Sequence, residues 1–341
     1  MGTVDGMEAR LVARANVPFL GIPAGGVHGV ALHIAILNGC KLARGLVAAW
    51  RHMRRERPDA ILTTGGYVSG PVMVAASRQG VPVLIYVPDI EPAQSIQSMA
   101  RMATRIAVTV EDSRQYLPAD KVVVTGYPLG ERITRWDRAG GRERLGLDPE
   151  QPVLLVFGGS RGARSINRAV LAHIPALVEH AEVIHISGTL DWPEVEATRA
   201  ALPAEVLARY HAFDYLHAEM GAAMAAADLV VCRAGASTLG EFPYFGLPAV
   251  LVPYPYAWRY QRVNADWLAE RGAAEVVEDA ELAERIVPLA RELLGDKARR
   301  AEMAASARAL SRPDAARHLA EVLCSLGRQH AASVGGAHDS N

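Results

Sequence analysis

The stretch Val153-Leu-Leu-Val-Phe-Gly-Gly-Ser-Arg-Gly-Ala163 leaves the chain few ways to fold. A run of five apolar residues stops at Gly158-Gly159. A small polar residue and another glycine follow, and helix-compatible sequence then covers 163–180. This pattern predicts a strand, a tight glycine turn and a helix N-terminus, where backbone N–H groups and the helix dipole converge on an anion. Gly158, Gly159 and Gly162 do not keep the G-x-G-x-x-G spacing of a dinucleotide fold. Nor is there the Lys-Ser/Thr pair of a P-loop. A diphosphate with neither a nicotinamide nor a transferable γ-phosphate fits such a turn, and nucleotide-sugars carry one.

Apolar runs followed by a turn and a helical stretch recur at 60–63, 81–87, 106–110, 122–125, 153–157, 183–187, 229–232 and 249–252. Fully apolar strands alternating with helices predict an α/β protein with parallel sheets covered on both faces. A polar interval at 131–151, containing Ala139-Gly140-Gly141 and Asp148-Pro149, interrupts the series. It is expected to be a linker between a doubly wound domain over 1–130 and another over 152–312. A C-terminal helix over 313–328 and a frayed tail over 329–341 complete the expected order. Ligands of such folds bind at the carboxyl ends of the strands, where the glycine turns are.

With 341 residues, half of them hydrophobic, the chain can bury two ordinary cores. Its 36 basic and 37 acidic side chains give a formal charge of −1, so nothing global argues for nucleic acid. Cys40, Cys232 and Cys324 are far apart in apolar surroundings and are expected to be buried thiols, not a disulfide frame or a metal site. No apolar run reaches the roughly 18 residues of a membrane span, and no signal peptide opens the sequence. A cytoplasmic protein is expected. Between 42 and 55, Leu42, Leu46, Ala49 and Met53 share one helical face, with Arg44, Arg51 and Arg55 nearly opposite. That is either a packed helix with a solvated basic face or a surface drawn to an anionic membrane.

A second glycine turn is Cys232-Arg-Ala-Gly-Ala-Ser-Thr-Leu-Gly-Glu241. Gly235 makes the turn, and Ser237 or Thr238 is expected to cap the helix that Gly246-Leu-Pro248 ends. Glu241, one turn in, suits two vicinal ribose hydroxyls, or is merely a favourable first-turn charge. Gln261 and Asn264, an i, i+3 pair, share a helix side and suit sugar hydroxyls, or are plain polar surface. A third glycine turn, Thr64-Gly-Gly-Tyr-Val-Ser-Gly-Pro71, lets a ligand approach the backbone or simply joins strand to helix.

These segments together resemble the MurG-type family of inverting glycosyltransferases. The resemblance covers nearly the whole chain through Gly2-Thr-Val-Asp-Gly-Met-Glu-Ala-Arg10, Gly65-Gly-Tyr-Val-Ser-Gly-Pro71, and Gly158-Gly-Ser-Arg-Gly-Ala163 with Ile166-Asn167. It continues in Ala227-Asp228, Arg233-Ala-Gly-Ala236, Glu241, Gly246-Leu-Pro248, Gln261 and Asn264-Ala265. It implies the GT-B architecture, two facing Rossmann-like doubly wound domains, with the donor in the C-terminal one and the acceptor at the N-terminal one. It implies transfer of N-acetylglucosamine from UDP-N-acetylglucosamine to a lipid-linked muramyl-peptide diphosphate, on the cytoplasmic face of the plasma membrane. Donor residues by this resemblance are Gly158, Gly159, Ser160, Arg161, Gly162, His217, Ala236, Ser237, Thr238, Leu239, Glu241, Gln261 and Asn264. Ser160 would touch the diphosphate, Glu241 the ribose, Gln261 the sugar and the backbone near His217 the uracil. Gly65, Gly66, Tyr67 and Ser69 would line the acceptor side. No cofactor and no metal is expected, and the partners are the UDP-sugar and the lipid-linked acceptor, bound by a monomer.

Three departures set this chain apart. It opens where the family's second strand ends, without the family's first strand, glycine-rich loop and loop histidine, so the N-terminal domain is expected to be incomplete. Tyr86-Val-Pro-Asp89 replaces a His-Glu-Gln-Asn run, and Thr125-Gly-Tyr-Pro-Leu-Gly130 replaces a junction that ends in a phosphate-facing arginine. Arg132 or Arg161 is the candidate substitute for that arginine. Asp89 is the candidate catalytic base by position, or a turn residue. Two other readings stay open: a UDP-sugar-binding protein without turnover, and another sugar-nucleotide enzyme on the same architecture, such as an epimerase.

Overall fold

The computed structural model describes residues 1–3, 7–25, 32–159, 162–256 and 259–336. The chain divides into two compact units: Met1–Pro88 with Pro92–Thr125 and the chain from Arg317 onward, and Asp89–Glu91 with Gly126–Ala316.

The first unit runs β1 (Gly2–Thr3), α1 (Met7–Arg14), β2 (Gly21–Ile22), α2 (Leu32–Glu56), β3 (Ile61–Thr63), α3 (Ser69–Gln79), β4 (Val83–Val87), α4 (Gln94–Ala100), β5 (Arg105–Val108) and β6 (Val122–Val124). Strands β3-β4-β5-β6 make a parallel sheet, and β1-β2 pair separately, also in parallel. Every residue of β4 is buried, because both sheet faces are covered. Val83, Ile85 and Val87 pack with Ala49 and Met53 of α2 and with Val72 and Met73 of α3. Leu84 and Tyr86 look the other way. On α2, Leu46, Ala49 and Met53 turn to this core while Arg44, Arg51 and Arg55 are exposed, as the sequence periodicity requires.

The second unit opens with α5 (Glu131–Thr134) and α6 (Arg138–Leu145), followed by β7 (Val153–Phe157), α7 (Arg164–Val178), β8 (Glu182–Ile186), α8 (Trp192–Ala200), α9 (Ala204–Leu207) and β9 (Tyr210–Phe213). It continues with α10 (Met220–Ala226), β10 (Leu229–Cys232), α11 (Thr238–Phe245), β11 (Ala249–Leu251), α12 (Tyr260–Glu270), β12 (Ala274–Val276), α13 (Leu282–Gly295) and α14 (Lys297–Ala309). Its parallel sheet has the order β12-β11-β10-β7-β8-β9, so the winding direction reverses between β7 and β10. That is the switch point, where neighbouring crossovers leave to opposite faces and open a crevice.

Helix α15 (Ala315–Gly336) belongs with the first unit from Arg317 on. Leu319 and Leu326 cover Leu84, Tyr86 and Ala107 on the second face of that sheet. The helix continues past residue 328, where a polar frayed tail was expected. Small residues such as Ala331 and Ala332 keep helix propensity even without an apolar stripe. Residues 337–341 of that tail lie outside the described residues.

The interval 131–151, expected as a linker, is part of the second unit. Asp137 caps α6 by accepting from the Gly140 N–H at 2.8 Å. A Cβ on Gly141 would lie 2.5 Å from the Ala222 carbonyl, so two small-residue helices pack backbone to backbone there. Arg142, 3% exposed, donates to the carbonyls of Asp148, Pro149 and Gln151 and pairs with Asp228 at 2.9 Å. Charge richness here marks a buried guanidinium stitching the interval down.

Strands β9 and β12 were not expected. Both are sheet edges, and Tyr-His-Ala-Phe and Ala-Glu-Val lack the all-apolar runs of central strands. The cysteines also differ from expectation. Cys232 is buried, but Cys40 and Cys324 are exposed, on the solvent sides of α2 and α15, and all three are free thiols. Among the described residues no helix is long and apolar enough to cross a membrane.

Candidate functional site

The turn that leaves β7 needs glycine at 158, 159 and 162. A Cβ on Gly158 would lie 2.1 Å from the Ala163 nitrogen, and one on Gly162 would lie 2.2 Å from the Ser187 carbonyl oxygen. Gly159 and Gly162 have φ of +88° and +75°, in the left-handed region. No side chain caps α7, so the helix presents its N-terminal backbone uncovered by its own polar groups. Ser160 and Arg161, both expected at the donor, lie outside the described residues.

At the neighbouring strand end, Thr238 Oγ1 donates to the Gly235 carbonyl at 2.7 Å. Neither Ser237 nor Thr238 caps α11 as the sequence suggested, since their backbone already has helical dihedrals and no side-chain cap bond forms. Ser237 instead hydrogen-bonds Glu241. Burial pushes the Glu241 carboxyl above its ordinary range, and that hydrogen bond partly offsets the effect.

The two turns flank one cavity of about 970 Å³, lined by Gly158, Gly159, Gly162, Ser237, Thr238 and Gln261 among others. Gln261 accepts from the Tyr254 N–H at 2.9 Å, which leaves its NH₂ end as the group able to donate. Ala236, Leu239 and Glu241 belong to the same turn and helix but do not line the cavity wall, and Leu239 is buried. His217 is exposed on the loop that leaves edge strand β9, stacked obliquely on Tyr215 at 4.5 Å. It does not line the cavity.

Asn264 is fully buried, so the sugar-reading role expected of it does not fit the structure. Its Nδ2 donates to Asp89 Oδ1 at 2.9 Å and to the Ala234 carbonyl at 3.2 Å, and its Oδ1 accepts from the Ile90 N–H at 3.2 Å. The amide is a buried clamp with both N–H donors spent. It holds Asp89–Glu91 in the second unit, although these residues follow a strand of the first. Burial raises the Asp89 carboxyl, and Asn264 partly offsets it. Tyr127 packs on Gly240 of α11, and burial, with the charges of Glu241 and Asp89 nearby, pushes its phenol up to about 12. Asp89, Tyr127 and Glu241 therefore share one electrostatic neighbourhood.

Residues to which the sequence assigned no site role complete the cavity. Arg233 donates to Asp279 Oδ1 at 2.5 Å, Ser165 Oγ at 2.8 Å and the Val252 carbonyl at 3.2 Å, with its guanidinium 5.1 Å from the Tyr254 ring centroid. It ties together the exits of four strands. Asp279 follows the unexpected strand β12. The rule that ligands gather at strand carboxyl ends would have pointed to Asp191 and Asp279 once those strands were known.

In the first unit, β3 exits into Gly65 and Gly66 at φ of +92° and +88°. Ser69 Oγ donates to the Gly65 carbonyl at 2.5 Å and is 2.6 Å from Thr63 Oγ1, closing the turn onto α3. Gly65, Gly66, Tyr67 and Ser69 line a separate cavity of about 830 Å³, shared with Thr3, Glu8, His52 and Glu56. Tyr67 is 64% exposed, whereas Ser69 is buried and spends its hydroxyl on the turn. Among the described residues, no group of three or more His, Cys, Asp or Glu side chains could hold a metal ion.

Residues 1–108 match the glycosyltransferase family 28 N-terminal domain and residues 153–319 the family 28 C-terminal domain. A UDP-N-acetylglucosamine--N-acetylmuramyl-(pentapeptide) pyrophosphoryl-undecaprenol N-acetylglucosamine transferase of Roseiflexus sp. is 44% identical, over 96% of this chain and 83% of that protein. The chain belongs to the MurG family of glycosyltransferases. A protein of the same name from Desulforudis audaxviator is 36% identical over 95% of this chain and 88% of its own length. Among solved structures, Acinetobacter baumannii MurG superposes with a TM-score of 0.69 at 28% identity, covering 95% of this chain and 89% of that one. The two Rossmann-like units are those of the MurG fold. A UDP-GlcNAc 2-epimerase from Neisseria meningitidis shares the fold at 13% identity and a TM-score of 0.62, covering 94% of this chain and 88% of that one.

Proposed function

We propose that this glycosyltransferase moves N-acetylglucosamine from UDP-N-acetylglucosamine to a lipid-linked muramyl-peptide diphosphate. The observation that carries the donor's place is the pair of glycine turns flanking one cavity at the β7/β10 switch point. In this reading the UDP diphosphate lies against the 158–162 turn and the N-terminus of α7. The acceptor hydroxyl attacks the anomeric carbon as the bond to the β-phosphate oxygen breaks. Charge builds on the departing diphosphate, and the uncapped N-terminal N–H groups of α7 with its helix dipole stabilise it. Glu241 takes the ribose hydroxyls, and Gln261 reads the sugar.

Asp89 is the base that takes the acceptor proton, a role its raised carboxyl pKa supports by moving toward the working pH. The cavity at Gly65, Gly66 and Tyr67 receives part of the acceptor. The protein works as a monomer on the cytoplasmic face of the membrane, drawn by the exposed Arg44, Arg51 and Arg55 of α2 to anionic lipid.

Release of UDP from UDP-N-acetylglucosamine on adding the lipid-linked acceptor, with the disaccharide product seen by mass spectrometry, tests the reaction. Epimerised sugar nucleotide without acceptor, or tight UDP binding with no product, would replace this reading by an epimerase or by a binding protein. Sedimentation with vesicles, with and without phosphatidylglycerol, tests the surface.

A further inference from the structure

We propose that Arg164 is a diphosphate-facing cation of this enzyme, aimed into the cavity by a buried hydrogen-bond chain. This deepens the donor reading above and rests on the diphosphate lying at the 158–162 turn.

Among the described residues three guanidinium groups line the cavity: Arg164, Arg168 and Arg233. Arg233 is buried and spends its donors on Asp279, Ser165 and the Val252 carbonyl. The Arg168 Nε is 3.9 Å from Glu194, a loose exposed pair. Arg164 differs from both. Among the described residues it donates through Nε alone, 3.1 Å to Asp191 Oδ1, and its side chain is 65% exposed while that of Asp191 is 8% exposed. The two terminal amino groups are left as a planar fork, the geometry that meets phosphate oxygens with two parallel bonds.

Beneath this pair every proton has an assigned place. Asn167 Nδ2 donates to Asp191 Oδ2 and to the Ser187 carbonyl, each at 2.8 Å, so Asn167 Oδ1 must accept. His185 Nε2, 3.0 Å away, therefore carries the hydrogen, and His185 Nδ1 accepts from the Tyr210 hydroxyl at 2.7 Å. Burial keeps this imidazole neutral, with its pKa depressed to about 4. Tyr210, His185 and Asn167 are each at most 1% exposed. A directional chain thus runs from the sheet interior to a carboxylate, and the carboxylate fixes a guanidinium at the cavity wall. An isolated exposed ion pair is worth little and holds nothing in place; this one is anchored by three fully buried side chains.

In the reaction, the acceptor oxygen bonds to the anomeric carbon and its proton goes to the base. The electron pair of the broken bond stays on the β-phosphate oxygen. The Arg164 fork takes up the added charge on the leaving UDP.

Calorimetry on the full chain with UDP and with uridine tests this. Arg164→Ala is expected to weaken UDP about 10- to 100-fold, the loss of charge-assisted hydrogen bonds, with uridine affinity unchanged. Glu241→Ala, on the ribose, is expected to weaken both. Full UDP affinity in Arg164→Ala, with the Glu241→Ala loss intact, overturns the Arg164 assignment and leaves the donor site standing. If neither variant weakens UDP, the donor placement itself falls. Asp191→Asn should weaken UDP in the wild-type background and add nothing once Arg164 is alanine. An additive loss would show that Asp191 acts on folding and not on the aim of Arg164.

Discussion

Asp89 carries opposing demands within one side chain. Its carboxyl is raised by burial, so between the unfolded and folded pKa the native state holds more protons than the unfolded chain. Its contribution to stability is then fullest below the unfolded carboxylate pKa of about 3.9 and is lost as pH rises through the folded value. Asp89→Asn keeps an oxygen to accept from Asn264 and removes the buried charge. That variant should melt higher than wild type at pH 7 and equal to it near pH 3.5, by calorimetric scans. If Asp89 is the base, turnover should fall about 10²–10⁴-fold while UDP affinity holds. Near-normal turnover would reduce it to the anchor of its turn. His185 works in the other direction. With its pKa depressed from 6.5 to about 4 by burial, it contributes about 3 kcal/mol that is present above pH 6.5 and disappears as pH falls toward 4. Substituting His185 by Gln should flatten that acid limb in urea titrations from pH 7 to 4; an unchanged slope would place the limb on other groups.

Among the elements, the β7–turn–α7 unit shows how local residue choice and tertiary contact combine. The strand forms from consecutive apolar residues, and glycine permits the left-handed turn. The exit of β8 makes Gly162 doubly constrained, since its missing Cβ also leaves room for the Ser187 carbonyl. Gly162→Ala must both distort the turn at φ +75° and displace that backbone. It should cost at least about 1–3 kcal/mol and weaken UDP binding, because α7 can no longer present its N-terminus at the same place. A melting temperature within a degree of wild type would show that the turn is slack.

At the scale of the molecule, the second unit begins at Gly126, not after the polar interval. A fragment over 126–316 retains α6, its backbone packing on α10 and the Arg142–Asp228 pair. A fragment over 150–315 leaves Asp228 without both Arg138 and Arg142. Asp228, partly exposed, keeps the Val153 N–H at 2.9 Å, and losing both guanidinium partners costs about 1–3 kcal/mol. The longer fragment should fold cooperatively and bind UDP; the shorter should be markedly less stable in chemical denaturation. Equal stability would return 131–151 to the status of a linker.

Central strands and glycine turns could be read from neighbouring residues, because a strand buried on both faces is mostly apolar and a left-handed turn needs glycine; His185 of β8 is buried only because Tyr210 and Asn167 satisfy its ring nitrogens. The glycines at 158, 159 and 162 that border the cavity follow from that same local chemistry, whereas the proposed donor roles of Thr238 and Gln261 come with the family resemblance. Edge strands β9 and β12 were hidden, because an edge has one partner and tolerates the polar His211 and Glu275. Asn264 has the sequence context of a sugar reader, yet packing against Ala234 and Ile90 uses up its amide. The Tyr210–His185–Asn167–Asp191 chain joins two strands, a helix and a turn far apart in sequence, and no periodicity records it. Local conformational preference is encoded residue by residue. Which polar groups meet when water is excluded is settled only when distant segments pack together.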